Sequence, residues 1–105
     1  MSATITDNTG ESRYEIHVDG TLAGVADYRI VGQTIHFTHT ETDAAFGGRG
    51  LARQMIESAL GSARAAGLAV APECPFVRKV IADAPDTWLD LVPADHRAEF
   101  DLPTD

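Results

Sequence analysis

The sequence predicts an α/β (α+β) domain: an antiparallel meander that leads into one strand–helix–strand crossover and ends in short helices. Three observations carry this. Residues 13–18 alternate apolar and polar and stop at Asp19-Gly20, the strongest short hairpin signal. Leu51, Ala52, Met55, Ile56, Ala59, Leu60 and Ala63 recur at spacings of three and four, which is one stripe of an α-helix. That helix lies between two strand-like runs, 34–41 and 68–71, and is entered through the glycine loop Gly47-Gly48-Arg49-Gly50.

Each element has its own justification. Ile5 reads as an early strand or extension, and Asp7-Asn8-Thr9-Gly10 as a turn. On the strand 13–18, Tyr14, Ile16 and Val18 face one way and Arg13, Glu15 and His17 the other. A return strand covers about 22–30, and Val31-Gly32-Gln33 turns the chain into the strand 34–40. Strict alternation puts Ile35, Phe37, His39 and Glu41 on one face of that strand, and Thr34, His36, Thr38 and Thr40 on the other. Gly67 reads as the residue past the helix end, where the left-handed conformation favours glycine. Leu68 to Ala71 is a short buried strand closed by Pro72. Phe76 to Ala82 forms a short helix, Pro85 starts another turn, and Trp88, Leu89, Leu91 and Val92 pack as a lid over the core. The acidic stretch 93–105 is expected to fray, with Phe100 docking weakly.

The chain of 105 residues suits one domain, 1–105, with its core over about 5–92. Such a domain buries about two-thirds of the surface its unfolded chain exposes, enough for one core. A net charge of −8 argues against nucleic-acid binding, which rests on Lys and Arg neutralising phosphates. It suits a cationic partner, or simply solubility. No apolar run approaches the roughly 20 residues that span a bilayer. No secretory signal follows Met1, so a cytoplasmic location without membrane contact is expected. Cys74 is the one cysteine, so no internal disulfide forms. His17, His96 and Cys74 have no zinc spacing, and His36 and His39 fall on opposite faces under strict alternation, so no metal is expected.

The glycine loop is the first chemical signal. The first four N–H groups of a helix have no partner inside it, and the macrodipole adds about half a positive charge at that end. Glycines let an anion approach this backbone, so the loop is a candidate phosphate cradle; the plain alternative is a tight turn. It is not a Walker A loop, since Leu51-Ala52 follow Gly50 where Lys-Ser or Lys-Thr would stand. Nor is it the dinucleotide pattern G-x-G-x-x-G, because Arg53 holds the last position.

The loop resembles the acyl-CoA pyrophosphate loop of the GNAT N-acetyltransferases, Arg/Gln-x-x-Gly-x-Gly/Ala. Gly50 and Ala52 fit its last two fixed positions, and Gly47 stands where Arg or Gln is usual. The flanks, His39-Thr40-Glu41 before the loop and Pro72-Glu73-Cys74-Pro75-Phe76-Val77 after it, resemble a compact GNAT-like subfamily. That subfamily carries H-T-E-V, a G-x-G helix, P-x-C-x-F/Y-V/A and a late H-P-x-Y/W segment. Thr42 replaces the Val here, and Ala84-Pro85-Asp86-Thr87-Trp88 stands at the late segment. Arg13 to Gly20 and Ala23-Gly24 fit the N-terminal half, so the resemblance covers roughly residues 5–92.

The resemblance implies a minimal GNAT-like fold that moves an acetyl group from acetyl-CoA to an amine acceptor. It places the pyrophosphate on the N–H groups of Gly48, Gly50, Leu51 and Ala52, within a cofactor site of Gly47, Gly48, Arg49, Gly50, Leu51 and Ala52. The pantetheine arm falls near Thr40, Glu41 and Thr42, and toward Cys74, Pro75 and Phe76. His39, helped by Glu41, is the candidate base for the amine. Cys74 either protonates the departing thiolate or attacks first to form an acetyl-enzyme. A structural histidine and an inert buried cysteine are the plain alternatives. Arg78 and Lys79 either meet the cofactor's phosphates or face solvent. There is no room between the first two strands for the helices that usually shape the GNAT acceptor site, so small amine, polyamine and protein lysine all stay open. A CoA-binding module without catalysis is the alternative function. Exposed strand edges leave the oligomeric state open.

Overall fold

The computed structural model describes residues 2–47 and 50–104. Its first four strands are β1 (Ala3–Asn8), β2 (Arg13–Val18), β3 (Thr21–Val31) and β4 (Thr34–Thr42). A 3₁₀ turn (Ala44–Phe46) and the glycine loop lead to α1 (Leu51–Ala65), then β5 (Ala69–Pro72), α2 (Pro75–Asp83) and α3 (Pro85–Trp88). Among the described residues the strands make one five-stranded sheet in the order β1-β2-β3-β4-β5. The first four pair antiparallel, and β5 pairs parallel to β4. The meander and the α/β crossover are therefore both present, with β1 as the strand that contains Ile5.

Local chemistry explains the joints. Asp19 (φ 50°) and Gly20 (φ 87°) both take the positive φ that a type I′ hairpin turn requires. At the end of α1, Leu68 N–H donates to Ala63 O and Gly67 N–H to Arg64 O, the paired bonds of a Schellman motif. Gly24 answers a different demand: a Cβ there would sit 2.9 Å from the carbonyl oxygen of Glu41, so β3 and the end of β4 approach too closely for a side chain.

The core lies on one face of the sheet. Tyr14, Ile16, Val18, Ala26, Tyr28, Ile35 and Phe37 meet Leu51, Met55, Ile56, Ala59, Leu60 and Ala63 of α1. Each large aliphatic side chain so buried contributes roughly 1.5–3 kcal/mol. Val77, Val80 and Ile81 extend the core along α2, while Leu91 and Val92 close it, with Trp88 and Leu89 packed against it. Among the described residues no helix is long and apolar enough to cross a membrane.

The opposite face is polar. Glu15 is its one buried charge among the described residues, held by Asn8 Nδ2 at 3.0 Å and Arg13 Nε at 2.7 Å. These partners hold its carboxyl below the usual range, the Asn8 bond first and Arg13 second.

The C-terminal segment departs from expectation. Instead of fraying from 93, it folds into two 3₁₀ turns and buries Phe100 and Leu102. Arg97 Nε donates to Val92 O, Leu102 N–H donates to Arg97 O, and the Arg78 guanidinium lies over the Phe100 ring. Two apolar side chains and a cation–π contact outweigh the acidity of the stretch.

Candidate functional site

The helix that follows the glycine loop begins without a side-chain cap. Its N-cap is Gly50, in the left-handed region at φ 72°. A Cβ there would meet open space, so glycine is required by conformation rather than by crowding. The backbone donors of the first turn have no partner within the helix. Thr42, Phe46, Gly47, Gly50, Leu51, Ala52 and Phe76 line a cavity of about 340 Å³ at this point. Six of the residues expected around the cofactor thus come together: Thr42, Gly47, Gly50, Leu51, Ala52 and Phe76. Gly48 and Arg49 lie outside the described residues.

Two cations edge the same cavity, Arg53 and Lys79. Both are held by Asp83, at 2.5 Å and 3.1 Å. Lys79 and then Arg53 keep the Asp83 carboxyl below its ordinary range. Arg78 does not face this cavity. It spends its guanidinium on the carbonyls of Pro72 and Glu73 and on the Phe100 ring.

Beside the cavity the sheet forks. The β4–β5 ladder runs from Thr34↔Ala69 to Phe37↔Pro72 and is closed by the Cys74 N–H bond to Phe37 O at 2.9 Å. Past Phe37, β4 pairs with β3 alone among the described residues, which leaves one edge of Thr38–Thr42 open. Cys74 is the N-cap of α2, with Pro75 as the first helical residue. Its side chain is buried, and Sγ lies 3.4 Å from Thr40 Oγ1.

A β-bulge corrects the expected faces of β4. Asp27 pairs with His39 and Tyr28 with Phe37, so Thr38 is an extra residue in the ladder. Period-two alternation breaks there. Thr40, opposite the buried Ala26, turns to the core side with Ile35 and Phe37. His39 and Glu41 turn to the polar face, paired at 3.4 Å, with side chains 57% and 72% exposed. His39 is therefore not half-buried, and it does not neighbour Cys74: the two lie on opposite sides of the sheet. The bulge also puts His36 and His39 on one face, against the alternation argument that separated them. Among the described residues no group of three His, Cys, Asp or Glu could hold a metal ion.

Two groups of interest escaped the sequence reading. His36 Nδ1 lies 2.6 Å from Glu73 Oε2, where β5 ends and one residue before Cys74. The signal available was the adjacency of Glu73 to Cys74, together with a histidine on the polar face of β4. Thr40 was placed by resemblance near the pantetheine, but its contact with Cys74 could not be read without the bulge.

A family model described as GCN5-related N-acetyl-transferase matches residues 13–91, well over half of the chain. The chain belongs to the GCN5-related N-acetyltransferase (GNAT) family. Solved structures agree in fold. A GCN5-like protein from Staphylococcus aureus, solved by NMR in solution, matches with a TM-score of 0.64 and 22% identity, covering 86% of this chain and 87% of that one. The crystal structure of Ard1 from Thermoplasma volcanium matches with a TM-score of 0.52 and 17% identity, over 58% of this chain. This GNAT protein spans 43% of the Ard1 chain. At these identities the likeness is one of fold. No curated protein sequence matches the chain. The GNAT assignment fits the α/β architecture with its mixed five-stranded sheet. GNAT membership supports acyl transfer as the general chemistry.

Proposed function

We propose that this GNAT protein transfers an acetyl group from acetyl-CoA to an amine. The observation that carries the reading is the Thr40–Cys74 contact, set where β4 and β5 part and beside the uncapped start of α1. The residues present suit the donor. Its pyrophosphate would take the free N–H groups at Gly50, Leu51 and Ala52. Arg53 and Lys79 stand ready to leave Asp83 for further phosphates. Its pantetheine would lie along the open edge of β4, near Thr40, Glu41 and Thr42, with Pro75 and Phe76 across the fork.

The same geometry favours direct transfer over an acetyl-cysteine route. The amine nitrogen attacks the thioester carbon and the C–S bond breaks. The amine's proton passes to His39, oriented by Glu41, on the polar face. The sulfur's proton comes from Cys74 on the core side, with the Thr40 hydroxyl as its hydrogen-bonding neighbour. A backbone N–H on the free edge of β4 stabilises the oxyanion. An acetyl-cysteine route would need His39 to activate Cys74, and the two lie across the sheet from each other. The second reading, a CoA-binding module without turnover, draws on Gly47 in place of Arg or Gln.

The test is intact-protein mass spectrometry after incubation with acetyl-CoA, paired with thermal stabilisation by CoA. Stabilisation without a protein adduct, together with acetylation of an added amine, is the expected result. An adduct lost in Cys74→Ala would replace direct transfer by the acetyl-enzyme route. Stabilisation with no acetylated product from any amine would leave the binding module. No stabilisation would sink both.

A further inference from the structure

A second cavity, of about 470 Å³, lies where the C-terminal segment passes the polar face of β4 and β5. This is within the size of small-molecule sites, roughly 300–1,000 Å³. Its apolar walls include Val31, Ala71 and Phe100. Its polar groups are the Thr34 hydroxyl and two imidazole–carboxylate pairs, one from each side. From the sheet, His36 Nδ1 meets Glu73 Oε2 at 2.6 Å. From the segment, His96 Nδ1 meets Glu99 Oε1 at 2.9 Å.

We propose that this cavity binds an organic amine with an apolar body. Each imidazole engages its carboxylate through Nδ1. With the carboxylate ionised, that nitrogen carries the proton; Nε2 of a neutral imidazole is then an acceptor, while the Glu99 bond favours the charged form of His96 and raises its pKa. Each carboxylate uses one oxygen on its imidazole. Glu73 Oε1 and Glu99 Oε2 have no hydrogen-bond partner among the described residues. The cavity thus presents two unengaged carboxylate oxygens and two carboxylate charges. The nearby fixed cations are Arg29, whose Nη2 is 3.9 Å from the already engaged Glu73 Oε2, and Arg78, whose guanidinium is spent on the Pro72 and Glu73 carbonyls and lies over the Phe100 ring. An ammonium offers three donors and one positive charge, which this set of acceptors complements. An anion would meet two carboxylates. A bare metal ion lacks a group of three ligands among the described residues. A fully polar cation would leave Ala71 and Phe100 without a partner, so the walls favour an aryl or alkyl body.

The position gives the site its meaning. Glu73 directly precedes Cys74, and the cavity opens on the face that carries His39. As the acceptor site it rests on the acetyl-transfer reading. As an amine site it stands without that reading, and its test uses no acetyl-CoA.

The experiment is a ¹H–¹⁵N correlation titration of the full chain with tryptamine, and with tryptophol as its uncharged counterpart. Tryptamine is expected to shift the amides of His36, Ala71, Glu73, His96 and Phe100 along one saturating curve. Tryptophol, Glu73→Gln and Glu99→Gln are each expected to bind at least about tenfold more weakly, a loss of about 1.4 kcal/mol. The unliganded spectra of the two variants report whether the fold is kept, and the tryptophol comparison needs no variant. Equal binding of tryptophol, shifts confined to other residues, or no shifts at all would each overturn the proposal.

Discussion

The Cys74 thiol lies 3.4 Å from the Thr40 hydroxyl and across the sheet from His39. On the proposed acetyl transfer, this opposite placement would divide the proton traffic into two sides. Cys74→Ala is expected to lower kcat about 10²-fold with little change in the KM for acetyl-CoA. Thr40→Val is expected to give a smaller loss in the same parameter. His39→Ala should instead lose activity that added imidazole partly restores, which Cys74→Ala should not show. Steady-state kinetics of the three variants with a primary amine would check this pattern.

Gly50→Ala puts a Cβ on a residue at φ 72°. The left-handed conformation costs an L-residue roughly 1–2 kcal/mol. Urea denaturation should show that loss. Thermal stabilisation by CoA should weaken as the start of α1 relaxes.

Asp83 holds Arg53 and Lys79 away from any anion in the loop cavity. Asp83→Asn is expected to release both cations and tighten CoA binding several-fold at low ionic strength. The gain should fade with added salt, since exposed charges are screened. Calorimetric titration at two salt concentrations reads both effects.

Phe100→Ala removes a buried ring that anchors the C-terminal segment under Arg78. Large-to-small changes of this kind cost about 3 kcal/mol or more. The unfolding midpoint should fall accordingly. Amide exchange should rise over 93–102 before it rises in α1.

The Glu15 carboxyl is held below its ordinary range by Asn8 and then Arg13. A depressed carboxyl stabilises the fold above its unfolded pKa and loses that contribution as pH falls through the folded value. Acidification should therefore weaken the wild type more steeply than Glu15→Gln. Denaturant midpoints from neutral pH to about pH 3 would show the two slopes converge if Glu15 has no such role.

Much of this architecture was legible in the sequence. The apolar stripe from Leu51 to Ala63, Gly67 and Asp19-Gly20 each carry a local rule, and local rules survive folding. The faces of β4 were not legible, because one extra residue at Thr38 inverts every side chain after it. That inversion moved His39 and Glu41 to the polar side and brought Thr40 to Cys74. The His36–Glu73 contact was not legible for a different reason: it depends on register between β4 and β5, which no single segment encodes. Phe100 and Leu102 were undervalued because an acidic composition masked two apolar residues spaced to dock.

The fork past Phe37↔Pro72 bears on the order in which reactants arrive. On the proposed reading, a donor lying along the open edge of β4 and an amine on the polar side would reach the gap through separate entrances. Neither must leave before the other enters. Initial-velocity plots against both substrates should therefore intersect rather than run parallel, and CoA should not compete with the amine.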